Sequence, residues 1–172
     1  MTDVFSSEKR SAVMQRIRSA DTKPEILVRR LLFASGFRFR LQVKNLPGKP
    51  DIVLPKWKTV VFVNGCFWHQ HPGCRRATIP SSRKDYWLPK LKRNVERDAE
   101  EQDALIESGW RVLVVWECAC RKGFRDDLQR LMEQFIKGGC RFGWIELVQN
   151  EGSDSVVLAD AAQIEASPGA AM

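Results

Sequence analysis

The chain has 172 residues, 44% of them hydrophobic, with a formal net charge of +7 and a mean hydropathy of −0.33. That suffices for one domain with a real core. The longest apolar runs, Val60 to Val63 and Val112 to Trp116, fall far short of the roughly 20 residues a membrane-spanning helix needs. The opening MTDVFSSEKR has no apolar run of a secretion signal, so neither a membrane protein nor an exported one is expected. The charge is uneven: residues 1–98 hold 21 basic and 8 acidic groups, and residues 99–172 hold 7 and 13. A basic front half is the usual footprint of a polyanion partner, nucleic acid first, although a merely solvated basic surface fits the charge alone equally well.

In chain order, residues 7–19 read as a short basic helix with Met14 and Ile17 three apart. A second helix starts at Asp21-Thr22-Lys23-Pro24-Glu25, where Asp21 or Thr22 caps, Pro24 fits the first turn and Glu25 suits the positive helix end. Its apolar stripe is Leu27, Val28, Leu31 and Leu32, and Gly36 closes it. Phe37, Phe39 and Leu41 alternate with Arg38, Arg40 and Gln42, the period of a strand. After a tight loop at Leu46-Pro47-Gly48-Lys49-Pro50, Asp51 to Leu54 and Thr59 to Asn64 read as two more strands, the second so apolar that a central place in the sheet is expected. Residues 65–83 form a loop, and a long charged helix spans about 85–108, with Pro89 near its start and Gly109 after its end. A buried strand at Trp110 to Trp116, a helix at Phe124 to Ile136 and a last strand at Arg141 to Val148 complete a single domain, 1–149, of α/β class. Residues 150–172 lack aromatic and basic groups and read as a mostly disordered acidic tail.

The chemistry concentrates in the loop. Asn64-Gly65-Cys66-Phe67-Trp68-His69-Gln70-His71-Pro72-Gly73-Cys74 holds both histidines of the chain and two of its five cysteines. Five is an odd number, and no export signal precedes them, so a disulfide framework is not expected. Cys118 and Cys120 follow a buried strand and can fold back on the loop. Thiolate and imidazole suit zinc, and a zinc clip orders a loop with little core of its own. Spacing alone does not choose four ligands among Cys66, His69, His71, Cys74, Cys118 and Cys120; Cys140 reads as a packed thiol. A second constellation is Pro50-Asp51 at the head of a strand, with Glu25 on an earlier helix. A carboxylate so placed can hold Mg²⁺ against a scissile phosphate, and a nearby histidine can serve as base toward water. Alone, Pro-Asp before a strand is more often a turn. A third feature is aromatic: Phe67-Trp68 lies inside a polar loop, and Tyr86-Trp87 lies in a segment, Arg75 to Arg97, with 8 basic and 2 acidic residues. Such segments grip phosphates, here through groups such as Lys92 and Arg93, and wedge or stack on bases. For Trp87, packing beneath the long helix is as good a reading.

These stretches resemble the very short patch repair endonucleases, bacterial enzymes that nick DNA at T:G mismatches. The resemblance is carried by Met14 to Arg18 with Asp21-Thr22 and Glu25, by Leu46-Pro47-Gly48-Lys49-Pro50-Asp51, and by Gly65-Cys66-Phe67-Trp68-His69 with His71 and Cys74. Trp87 with Lys92 to Asp98, and Gly109 to Cys118, continue it. It runs from about residue 5 to 148. It implies a fold like that of the PD-(D/E)XK restriction endonucleases, a mixed sheet flanked by helices, acting as a cytoplasmic monomer. It implies a structural zinc held by Cys66, His71, Cys74 and Cys118, and Asp51 as the Mg²⁺ carboxylate. It gives His69 as the base, Asp98 as its hydrogen-bonding partner, and Glu25 as the acid beside the water on the metal. Phe67, Trp68 and Trp87 match aromatics that pry open the mismatched step. The implied substrate is duplex DNA with a T:G mismatch left by deamination of 5-methylcytosine, nicked 5′ of the T. The implied links are to a cytosine-5 methyltransferase and to mismatch-repair or DNA polymerase factors. Two departures stand out. Asn64 replaces a second active-site histidine, so position 64 can hydrogen-bond a phosphate but carries no proton at neutral pH. The stretch from His71 to Cys74 is one residue longer, through Pro72-Gly73, which a turn can absorb. The rival expectations are a restriction-like nuclease of other specificity and a non-catalytic zinc-containing DNA-binding module.

Overall fold

The computed structural model describes residues 20–150 and 153–160. The basic helix expected at 7–19 and the end of the tail, 161–172, lie outside the described residues. The elements are α1 (Lys23–Ala34), β1 (Ile52–Leu54), β2 (Thr59–Asn64), α2 (Lys84–Glu107), β3 (Arg111–Trp116), α3 (Arg125–Lys137), β4 (Phe142–Asn150) and β5 (Ser153–Asp160). The five strands form one sheet in sequence order. β1 and β2 are antiparallel, β2, β3 and β4 run parallel, and β5 returns antiparallel to β4. The class is therefore α/β, with a mixed sheet and helices on both faces.

The period-two alternation of the strands divides the core. Ile52, Leu54, Val61, Leu113, Val115, Ile145 and Leu147 face α1 and α3, where Val28, Leu32, Leu128, Met132, Phe135 and Ile136 close the larger core. Val53, Val60, Val112 and Val114 face the other way, onto Leu105 and Ile106 of α2. The apolar run 59–64 lies inside the sheet, between β1 and β3, and the middle place belongs to β3. α1 begins as expected: Thr22 caps it, and Thr22 and Glu25 form a reciprocal capping box. No described helix is long and apolar enough to cross a membrane.

Two expectations are corrected. Residues 37–42 do not form a strand. Arg40 makes one antiparallel bridge to Val53, and Gln42 turns into the left-handed region at φ 53°, which breaks the extended run. Only Phe37 of the three alternating apolar residues is buried, edge-on to Trp57 at 5.6 Å. The tail does not begin at 150: β4 runs to Asn150, and Ser153–Asp160 pairs with it from Asn150↔Ser153 to Gly143↔Asp160. Val156 and Leu158 join the larger core, which is why this acidic stretch orders.

Arg111, at the start of β3, donates to the carbonyls of Ile136 at 2.9 Å, of Cys140 at 2.8 Å and of Phe135. Those carbonyls lie where α3 ends, so the guanidinium fastens helix to sheet and complements the negative helix end. Arg111→Ala is expected to cost roughly 2 kcal/mol in urea unfolding, with Arg111→Lys recovering only part, because one ammonium cannot span three carbonyls.

Candidate active site and metal cluster

Asp51 sits immediately before β1, and its Oδ2 accepts the backbone N–H of Val63 on β2 at 2.7 Å. The antiparallel pairing of β1 and β2 fixes that bond, because Ile52 lies opposite Val61. Burial raises the Asp51 carboxyl to about 6, with Glu25 adding to the rise, against the Val63 N–H and the nearby Arg29 and His69. Glu25 is itself buried and well satisfied. It accepts the Asp21 N–H at 3.0 Å, the Thr22 hydroxyl at 2.8 Å and Arg29 at 2.8 Å. The helix cap thus doubles as the acidic wall beside Asp51.

His69 is presented by a tight turn, in which its N–H donates to the Gly65 carbonyl at 3.1 Å. α2 holds that turn with two side chains four residues apart, which share one helix face. Asn94 donates to the Trp68 carbonyl at 3.1 Å, and Asp98 pairs with Nδ1 of His69. Asp51, Glu25, His69, Asp98, Asn64 and Glu101 all line one cleft of about 1010 Å³. Asn64 is 6% exposed and also lines the neighbouring cavity of about 380 Å³.

The loop before Asp51 reaches α2 through Gly48. Its φ is +68°, and a Cβ there would stand 2.9 Å from Oε2 of Glu101 and 3.1 Å from the Phe62 ring. Gly48→Val is expected to cost roughly 2 kcal/mol, from left-handed strain plus the clash, measured by urea unfolding.

The metal candidates separate cleanly. Cys66, His71, Cys74 and Cys118 have ligand atoms all within 4.8 Å of one another. Cys120 and His69 lie outside that set; the Cys120 thiol approaches the Trp116 carbonyl at 3.9 Å. Cys140 donates to Asp160 at 3.0 Å on β5. Pro72-Gly73 forms the centre of a turn, with Gly73 at φ +67° and the Cys74 N–H on the His71 carbonyl at 3.2 Å. That turn brings His71 and Cys74 to the same cluster. Hydrogen bonds from Cys66, His71 and the Leu147 amide outweigh burial and hold Cys118 low, at about 4, while Cys66 is pushed up by the Cys118 sulfur beside it. Three sulfurs and one imidazole are a zinc donor set, and tetrahedral zinc needs ligand atoms roughly 3.5–4 Å apart, close to what the cluster offers.

The aromatic residues form one cluster. Phe67 and Trp68 meet edge to face at 5.0 Å, and both pack on Trp87, at 5.6 and 6.0 Å. Trp87 is 7% exposed, so it is the floor of the cluster, while Tyr86 is exposed at its edge. Sequence reasoning missed Lys90, whose ammonium lies 5.3–5.6 Å from the rings of Trp68, Tyr86 and Trp87. Its signal was the alternation of basic and aromatic residues in 83–93. Asn94 and Glu101 were also missed, and only their place on the Asp98 face of α2 pointed to them. Lys92 and Arg93 are exposed on the same helix.

The His69–Asp98 pair sets a prediction. Asp98→Asn keeps the volume but removes the charge that orients the ring. A reaction that uses His69 as its base is expected to fall roughly 10²–10⁴-fold with little change in substrate affinity, read by single-turnover kinetics beside a binding titration.

The family model described as DNA mismatch endonuclease Vsr matches residues 2–76. The DNA mismatch endonuclease Vsr of Escherichia coli is 42% identical over 141 residues, 80% of this chain and 90% of that protein. The type II nicking enzyme V.NmeAIP of Neisseria meningitidis is 49% identical over 136 residues, 78% of this chain and 96% of its own. V.XorIIP, a type II nicking enzyme of Xanthomonas oryzae, is 54% identical over 118 residues, 69% of this chain and 86% of its own. These relatives set aside the reading of a non-catalytic binding module: the chain belongs to the Vsr family of DNA mismatch endonucleases and is a DNA endonuclease.

Proposed function

We propose that this endonuclease nicks duplex DNA 5′ of the mispaired T in T:G mismatches left by deamination of 5-methylcytosine, opening very short patch repair. The observation that carries the reading is the convergence of Asp51 and the His69–Asp98 pair on one cleft. Asp98 accepts the Nδ1 proton of His69, so Nε2 is the basic nitrogen. It takes a proton from water as the water oxygen attacks phosphorus; the phosphorus–ester oxygen bond at the nick breaks, and the departing strand-end oxygen takes a proton from solvent. Asn64 offers an N–H to a phosphate oxygen but no proton, which leaves His69 as the sole histidine base in the cleft.

Asp51 would hold Mg²⁺ through the oxygen that Val63 leaves free. When bound, the ion polarises the phosphoryl oxygen and offsets its growing charge. Glu25 keeps the neighbouring solvent in an acidic field. Cys66, His71, Cys74 and Cys118 would hold a structural zinc that fixes the turn carrying His69. Phe67 and Trp68, braced on Trp87, enter the stack beside the mismatch, and a mispaired step is cheaper to open than a paired one. Lys92 and Arg93 grip the backbone. The mixed sheet is read as a PD-(D/E)XK restriction-endonuclease-like fold in one domain. The enzyme acts as a cytoplasmic monomer, with a cytosine-5 methyltransferase setting its sequence context and repair polymerase or mismatch-repair factors following it.

The test is an end-labelled set of duplexes with T:G, T:A or C:G at one position, in several flanking contexts. A single nick 5′ of the T, confined to T:G, is expected. Equal cutting of the paired duplexes overturns the proposal in favour of a restriction-like nuclease.

A further inference from the structure

β4 touches two of the four members of the metal cluster without belonging to it. Oε2 of Glu146 lies 2.8 Å from Nε2 of His71, and the next residue, Leu147, donates its N–H to the Cys118 sulfur at 3.5 Å. His71 is almost wholly buried, 3% exposed, and its ring stacks on Trp116 at 4.1 Å and 11°. Its other nitrogen, Nδ1, is 3.5 Å from the Cys118 sulfur. The ring therefore turns one nitrogen to the cluster and the other to the carboxylate. Glu146 is itself held: its Oε1 accepts the indole N–H of Trp144 at 2.8 Å. Residues 144 and 146 share a face because a strand repeats every two residues.

We propose that Glu146 is the positioning residue of the metal cluster, selecting the His71 tautomer whose Nδ1 lone pair faces the metal. The inference rests on the zinc reading above. A histidine ligand has two nitrogens, and the hydrogen bond at one decides which the metal receives. Here Nε2–H donates to Glu146, so Nδ1 is the ligand atom. The carboxylate makes the imidazole a stronger donor, and Trp144 keeps the carboxylate from swinging away. β4 thus anchors the loop carrying the catalytic histidine to the sheet through the ligand set itself.

The test uses the full chain as wild type, Glu146→Gln, Glu146→Ala and Trp144→Phe. Zinc affinity is measured by competition with a chromogenic chelator, and the visible spectrum is recorded with Co²⁺ in place of zinc. Glu146→Ala is expected to weaken zinc roughly 10- to 100-fold. Glu146→Gln, which keeps an acceptor but not the charge, falls between it and wild type. Trp144→Phe loses less than Glu146→Ala. Melting in EDTA, unchanged for Glu146→Gln, shows that the fold survives. Wild-type zinc affinity in both Glu146 variants overturns the proposal for Glu146 while leaving the zinc site standing. A wild-type chain that takes up neither zinc nor cobalt overturns the zinc reading itself.

Discussion

Asp51→Asn is expected to abolish nicking, by roughly 10³-fold or more, while making the metal-free protein more stable at neutral pH. The two effects have one cause. Burial lifts the Asp51 carboxyl from 3.8 to about 6, so the folded chain holds that proton more tightly than the unfolded chain does. Ionising Asp51 therefore costs stability. The cost is absent below pH 3.8, grows between 3.8 and about 6, and is complete above that range. Asparagine never ionises and can still accept the Val63 N–H. In EDTA at pH 7.5 the variant should gain about 2 kcal/mol, and the gain should vanish below about pH 4. Urea unfolding across that range checks the sign. A variant that loses activity but gains no stability would mean that Asp51 is a turn residue whose loss disturbs the loop. A gain in stability on losing the charge is what the proposed cation site at Asp51 predicts.

Removal of the metal cluster is the second large effect. On the proposed zinc reading, Cys66→Ala leaves three ligands and a hole under the turn that carries His69. Expected results are loss of bound zinc, a stability loss of roughly 3 kcal/mol or more, and no cutting. Zinc content by atomic absorption and thermal melting check the first two. Cys120→Ala is the control and should keep its zinc, since Cys120 lies outside the cluster. The affinity should also fall as pH drops, because zinc must displace the proton that Cys66 holds so firmly.

Local signals carried most of the fold. The Thr22–Glu25 box announces α1 because both halves of a capping box lie within four residues. The apolar runs at 59–64 and 111–116 become the two paired parallel strands at the middle of the sheet. Residues 37–42 show the limit of periodicity: alternation is satisfied there, but the partner ladder is missing beyond Arg40↔Val53. β5 shows the converse. Val156, Val157 and Leu158 are too short an apolar run to announce a strand, and only the long pairing with β4 makes one.

The site divides the same way. Asp51 and the two histidines stood out as candidates by residue type, but the choice of His69 and its pairing with Asp98 came only through the resemblance, since the two lie 29 residues apart. Which four of six Cys and His residues converge depends on the path of the loop around Pro72-Gly73, which spacing does not contain. Glu146 sits 75 residues from His71 on a strand whose alternation reads as ordinary surface, so nothing local marked it.

Cutting is expected to take place in the cleft that holds Asp51, His69 and Asp98. The most direct test is the single-turnover nicking rate of His69→Ala on an end-labelled T:G duplex with Mg²⁺, beside its affinity for the same duplex. A fall of roughly 10³-fold or more with affinity held within a few fold is the expected result. Nicking within a few fold of wild type would contradict it and move the chemistry away from this cleft.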